Sequence, residues 1–350
     1  MQIRIVIILA LILGLSAEQL QAGNPDRQGE AGGYELLLSP WARSSGFHTL
    51  NTSLVGGVEA MRLNVAGLAR INKSELVISH MILFDGTGMG MNSVGLATRV
   101  GESGVLGITL NSLDFGDIEV TTTDVPEGTG ATFSPNFFHI GIAYAKTFEN
   151  KVSVGFLLRG VSESTADLNA FGFAIDAGVQ YVTGPQDNFK FGISLRNVGS
   201  PMKFGGEGLS FQTPRPGAGN TQYDITVEQR AAKFELPSVL NIGVSYDFII
   251  GTRHRLTALG NFTANSFSRD QVGGGLEYAF NEMFMVRAGY RYDLGTVLDG
   301  ADNVYTGVSA GVTIEVPTKK GATSRFGVDY AYRATSPFDG THNISIRYKI

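Results

Sequence analysis

The sequence predicts an all-β fold: a transmembrane antiparallel β-barrel of about 14 strands with an N-terminal plug-like segment, the even strand number being that of single-chain outer-membrane barrels. Three observations carry this prediction. Apolar and polar residues alternate through many segments of strand length, apolar and glycine content is high while charge is low, and short and long connections alternate along the chain. The alternation is cleanest in the last residues, where Ile344, Ile346, Tyr348 and Ile350 interleave with Asn343, Ser345, Arg347 and Lys349. A period of two gives a strand two different faces, one for lipid and one for the lumen.

Composition narrows the class. Hydrophobic residues make up 43% of the 350, charged residues 17%, and there are 46 glycines. After the first 22 residues no apolar run reaches the roughly 20 residues a spanning helix needs, so such a chain enters a membrane only as a barrel. That much glycine weakens helices and suits a sheet that bends and closes. The net charge of -5, with no basic patch, argues against a nucleic-acid partner. The absence of cysteine excludes disulfides, thiolate metal sites and lipid attachment at an N-terminal Cys.

The chain divides into three stretches. Arg4, the apolar run Ile5 to Leu15 and the small-residue step Leu20-Gln21-Ala22 form a secretory signal, so residues 1–22 are expected to be cleaved and the protein exported to the outer membrane. Residues 23–73 show no strand series and are expected to form an extension or plug. Residues 74–350 carry the barrel.

Expected strands run Ser74 to Phe84, Met91 to Val100, Val105 to Thr123, Asn136 to Phe148, Lys151 to Ser162, Leu168 to Val182 and Asn188 to Val198. After a long insertion come Ser238 to Ile249, His254 to Asn265, Gln271 to Phe280, Met283 to Tyr292, Val304 to Val316, Ser324 to Arg333 and Thr341 to Ile350. The connections test the count. Gly101 to Gly104, Glu149-Asn150, Gly184 to Asp187, Gly251 to Arg253, Asn281-Glu282 and Pro317 to Gly321 are short and rich in turn formers, as periplasmic turns should be. Asp124 to Phe133, Gly199 to Pro237 and Asp293 to Asn303 are the longest and all fall on the other side.

Face assignment places a series of charges inside. Glu277, Arg287, Arg291, Glu315, Arg325, Asp329 and Arg347 share inward faces on neighbouring strands and form an expected lumen charge ladder. It reads either as a selectivity lining or as an ionic network that fills and stiffens the barrel, and the second reading is preferred. Tyr292, Tyr332 and Tyr348, near strand ends, suit an interfacial aromatic girdle.

No catalytic constellation emerges. Gly307-Val308-Ser309-Ala310-Gly311 matches a nucleophile-elbow pattern, which requires a strand-to-helix turn, yet it sits inside an expected strand. Gly86 to Gly90 lacks the helix a phosphate-binding loop needs. His48, His80, His139, His254 and His342 are scattered without ligand spacing, and Asp299 to Asn303 lacks a full calcium ligand set. An enzyme is not expected, nor is a cofactor or a metal.

Three motifs carry a resemblance. Leu63-Asn64-Val65-Ala66-Gly67-Leu68-Ala69 follows a glycine-containing stretch and precedes the first strand. Leu195-Arg196-Asn197-Val198-Gly199-Ser200-Pro201-Met202 ends a strand with an Asn-x-Gly step. Leu236-Pro237-Ser238 leads into the strand after the long insertion. In this order they resemble the PorV/PorQ family, relatives of FadL-type barrels; Val65 stands where that family usually has proline. The resemblance implies a 14-stranded FadL-like barrel with the N-terminal segment as a lumenal plug. It also implies a role in type IX secretion, in which PorV-like members bind the C-terminal signal domains of cargo and carry them from translocon to surface attachment machinery.

The expected partners are therefore outer-membrane lipid and secreted cargo or translocon and attachment proteins. Phe204, Leu209, Phe211 and Tyr223 in the long extracellular loop are the expected partner anchors, with closure over the barrel's own mouth as the competing reading. A FadL-like transporter of hydrophobic small molecules is the alternative. It needs an apolar tunnel and an opening in the wall, against which the inward charges count.

Overall fold

The computed structural model describes residues 27–149, 151–215, 223–295, 303–319 and 323–350. The expected signal peptide lies outside these residues, as do Asn150, most of Asp299 to Asn303 and part of the turn Pro317 to Gly321. Fourteen antiparallel strands close into one barrel. They are β1 (Ser74–Leu83), β2 (Met89–Val100), β3 (Gly104–Asp114), β4 (Asn136–Phe148), β5 (Val152–Thr165), β6 (Leu168–Thr183) and β7 (Phe189–Gly199), then β8 (Val239–Ile250), β9 (His254–Asn265), β10 (Gln271–Phe280), β11 (Phe284–Asp293), β12 (Tyr305–Pro317), β13 (Arg325–Thr335) and β14 (Thr341–Lys349). Closure comes from β14 pairing with β1, with Ile346 opposite Ile78 and Lys349 opposite Glu75.

Burial alternates along almost every strand, the buried residues facing the lumen and the exposed ones the lipid. On β1, Glu75, Val77, Ser79 and Met81 are buried, while Leu76, Ile78 and Ile82 are among the exposed large apolar residues. Apolar side chains facing outward are stable only because the surrounding solvent is hydrocarbon. At the short-turn end Tyr246, Phe248, Tyr278, Phe284, Phe326 and Tyr348 face outward as an aromatic rim. The turns are tight: Asn281 and Glu282 have φ of 55° and 50°, a left-handed twist that lets residues 281–283 join β10 to β11, with Phe280 opposite Phe284.

Two stretches differ from expectation. The third strand was expected to reach Thr123, but β3 leaves the barrel after Asp114, because Ile118–Glu119 pairs instead with Thr132–Phe133 as a small extracellular ribbon. The long insertion is also structured: Met202–Lys203 pairs with Lys233–Phe234, and Ser210–Pro214 with Asp224–Glu228.

The N-terminal segment threads the barrel from the long-loop end to the short-turn end. Arg27 lies 4.3 Å over the ring of Phe267, in the β9–β10 loop, and the Gly32 amide donates to the Glu235 carbonyl at 3.0 Å. The chain then descends through short helices at Tyr34–Leu37, Ala42–Ser45, Gly57–Glu59, Ala60–Leu63 and Val65–Arg70 before entering β1. Leu36, Trp41, Phe47, Leu50, Met61 and Leu68 are all fully buried in the lumen.

Inward glycines make room for this segment. A Cβ on Gly155 would lie 2.5 Å from the Val65 carbonyl carbon, and one on Gly178 would lie 2.0 Å from Asn64 Oδ1. Gly95 faces Val58, Gly107 faces Met61, Gly192 faces Thr52, and Gly289 faces Phe47, so the seats run round the wall. Much of the glycine content thus serves plug packing as well as curvature.

Candidate functional site

The Val65–Arg70 turn explains the first motif. Asn64 caps it by accepting from the Ala66 amide at 3.2 Å, and its Nδ2 donates to Thr52 O and Val179 O, both at 3.1 Å. Val65 occupies the first helical position, where proline is favoured because no amide donor is needed there. The turn therefore survives the substitution. Gly67 is required by close approach, since a Cβ there would lie 2.1 Å from the Val55 carbonyl oxygen.

Below the plug lies an ionic floor. Arg287 Nε donates to Glu277 Oε2 at 2.9 Å and its Nη2 to Thr313 Oγ1 at 2.7 Å; Thr313 in turn donates to Asp329. Arg347 pairs with Asp329 at 3.1 Å, with Glu75 at 3.4 Å and with Glu59 of the plug. Arg325 lies 3.4 Å from Glu315. Plug residue Arg43 reaches Glu315 at 3.1 Å and Asp329 at 3.3 Å. Burial disfavours its charge, but Asp329, Glu315 and Glu59 outweigh that cost and hold its pKa above the usual arginine value.

The structure thus brings Glu277, Arg287, Glu315, Arg325, Asp329 and Arg347 into one connected floor. Arg291 stands apart, towards the extracellular end of β11, 3.9 Å from Asp293. Face reading of the C-terminal strands missed Glu75, although it lies on the buried face of β1 and was legible by the same alternation. It also missed Arg43 and Glu59, which carry no periodic signal. Ser309, from the elbow-like pattern, donates to Gly46 O at 3.1 Å and serves as a plug anchor.

Above the floor the charge balance changes. Arg159 pairs with Asp176 at 2.6 Å and donates to Asn197 Oδ1 at 2.7 Å. Asn197 takes a left-handed backbone, φ 59°, at the end of β7, and its amide donates to Asp176 Oδ1 at 2.6 Å. Arg62 and Arg196 are buried beside this pair and, among the described residues, have only carbonyl acceptors: Arg62 donates to Leu38 O and Glu35 O, and Arg196 to Arg62 O. Burial, together with Arg159 and Arg196, pushes the Arg62 pKa well below the ordinary value.

At the extracellular mouth the four loop residues separate. Phe204 packs against Phe234, ring centroids 5.7 Å apart and tilted by 36°, and against the cluster of Leu36, Met81, Phe137 and Met202, so it closes the barrel's own mouth. Leu209 is half-buried, and its carbonyl accepts from the Gln229 amide at 2.9 Å. Phe211 and Tyr223 are exposed, by 52% and 47%. Phe211 sits opposite Val227, and Ile225 opposite Thr213, giving the ribbon one apolar face.

At the periplasmic end a cavity of about 390 Å³ opens beneath the plug, bounded by floor residues and by Leu54, Arg70, Ile71, Lys190, Asp247 and Ile350.

The fold is shared with solved transporters and channels. The toluene transporter TodX of Pseudomonas putida superposes with a TM-score of 0.57 at 12% identity, over 89% of this chain and 97% of that one. The Ralstonia pickettii toluene transporter TbuX gives 0.57 at 12% identity, over 89% and 98%. A Pseudomonas aeruginosa FadL homologue gives 0.52 at 11%, over 88% and 98%. At these identities the likeness carries the barrel architecture alone. Comparison with curated proteins returns no match. Residues 128–348 match the family described as type IX secretion system membrane protein PorP/SprF, from β4 to the last strand. The chain belongs to the PorP/SprF family of type IX secretion system membrane proteins.

Proposed function

We propose that this barrel, exported through a cleavable signal peptide, serves type IX secretion by engaging protein partners at the cell surface. Those partners are cargo signal domains or translocon and attachment components, and the extracellular loop 199–237 engages them. The observation that carries this reading is the division of labour within the loop. Its base is fastened to the barrel through Asn197, Phe204 and Phe234, while its outer ribbon exposes Phe211, with Tyr223 exposed beside it. Aromatic side chains held on a rigid support make good interface anchors, since little entropy is lost when they are buried. The occupied lumen favours surface engagement over passage. The PorV/PorQ resemblance adds cargo shuttling as the finer form of the same role.

Purification of the tagged barrel from detergent-solubilised outer membranes, wild type against a Phe211→Ser/Tyr223→Ser variant, tests the reading. Secretion components or cargo should co-purify with the wild type and be depleted from the variant. Equal recovery from both would sink the loop's role. The likeness to toluene transporters favours a second reading, uptake of hydrophobic small molecules. Uptake of labelled toluene or fatty acid above that of cells lacking the protein would establish it.

A further inference from the structure

The cavity beneath the plug is lined by described residues among which every cation but one has a carboxylate at ion-pair distance. Lys190 pairs with Asp247, Arg255 with Glu277 and Glu282, Lys349 and Arg325 with Glu315, and Arg347 with Glu59 and Glu75. Arg43 shares Glu315 and Asp329. Among the described residues lining the cavity, Arg70 alone has no carboxylate at ion-pair distance, and its buried Nη2 has no hydrogen-bond partner. The nearest acids, Asp247 and Asp187, are too distant to offset burial, which pushes the Arg70 pKa down to about 10.

A half-buried guanidinium left in this state is costly, and the bond it lacks is one to an anion. Every acidic side chain among the described residues of the wall already has a cation, so a cationic ligand would find no free side-chain partner. The unpartnered Nη2 of Arg70 is a donor suited to an anionic oxygen. The remaining wall includes Leu54, Val55, Ile71 and Ile350. A volume of about 390 Å³ lies within the range of small-molecule sites, where apolar walls and a few fixed polar groups set orientation.

We propose that this periplasm-facing cavity binds a small organic carboxylate, its anionic end on Arg70 and its short apolar body against Leu54, Ile71 and Ile350. The carboxylate belongs either to a free acid or to the C-terminus of a peptide. The site is separate from the extracellular loop, and its failure would leave the proposed secretory role standing.

Calorimetric titration of the detergent-purified full-length barrel with hexanoate and hexanamide, and with Ala-Ala-Leu carrying a free or an amidated C-terminus, tests this. At least one acid should bind roughly tenfold or more tighter than its amide, the scale of one charge-assisted hydrogen bond. Arg70→Met should abolish that preference, and Arg70→Lys should keep part of it. Binding of hexanoate alone identifies a free acid, and binding of the peptide alone identifies a terminus; either supports the site. Protection of wild-type Arg70 from phenylglyoxal by the bound acid, mapped by mass spectrometry, reads the same contact without a variant. Equal binding of acid and amide, no binding by any probe, or full modification of Arg70 at saturating acid would overturn the proposal.

Discussion

Asn197 donates its side-chain amide to the Pro237 carbonyl at 3.0 Å, so the two ends of the longest extracellular loop are joined by one hydrogen bond. The same side chain accepts from Arg159 at 2.7 Å, which ties the loop base to the buried charge pair inside the barrel. Asn197→Ala removes both contacts and leaves a buried guanidinium and a buried carbonyl short of partners. Loss of about 1–3 kcal/mol is expected, the cost of unsatisfied buried polar groups. The midpoint of urea unfolding, followed by heat-modifiable gel mobility, should fall, and an unchanged midpoint would contradict the assignment.

Asp176 neutralises Arg159 in a region that also holds Arg62 and Arg196, neither of which has a carboxylate at ion-pair distance among the described residues. Asp176→Asn keeps the shape but strands a third buried cation. A loss of about 3–5 kcal/mol is expected, as when one partner of a buried ion pair is removed. Replacing Arg159 and Asp176 together by Met and Asn should recover much of it, and equal damage from single and double variants would refute the charge argument.

Gly155 and Gly178 seat the plug, so side chains there should expel it without unmaking the wall. Gly155→Leu or Gly178→Val places atoms where Val65 and Asn64 now lie. Limited proteolysis of the solubilised barrel should then cut within residues 27–73 while the strands stay protected. Wild-type resistance in either variant would show that the plug tolerates the intrusion.

Glu35 lies on the plug near the extracellular mouth. Burial raises its carboxyl above the usual range, opposed only by its own backbone hydrogen bond. The folded state therefore binds a proton more readily than the unfolded chain. Stability from this group is complete below the unfolded value of about 4.3 and declines as pH rises towards the folded pKa. Glu35→Gln should flatten that part of the profile and unfold later than wild type at neutral pH. Parallel wild-type and variant profiles between pH 4 and 7 would exclude the effect.

Tyr348 faces lipid at the periplasmic rim of the last strand, two residues from the backbone bonds by which Ile350 joins the last strand to Ser74. A charge there enters the interfacial belt at the seam that closes the barrel. Tyr348→Asp should lower the amount of folded barrel in the outer membrane, seen as loss of the heat-modifiable band. Normal levels would dismiss a special role for this residue.

Legibility followed periodicity. Where every second residue must face lipid, as from Ser324 to Ile350, strand, face and inward charge could all be read locally, and β13 and β14 lie within two residues of expectation. The third strand was overextended because Ile118 and Val120 continue an alternating pattern that the structure uses in a separate ribbon. Phe204 and Phe211 look alike in sequence, yet one closes the mouth and the other faces solvent, since only the fold of the loop decides which ring meets Phe234.

By itself the sequence determined a two-faced sheet closed in a membrane, because hydrocarbon outside and a polar lumen inside impose a rule on each residue separately. What Arg43, Glu59 and Arg70 do was decided only by the tertiary structure. The ion-pair partners of Arg43 and Glu59 lie on strands hundreds of residues away, and Arg70 has none among the described residues of the wall. Ion pairing depends on distance in space, and no local pattern records how the plug lies in its ring of glycines.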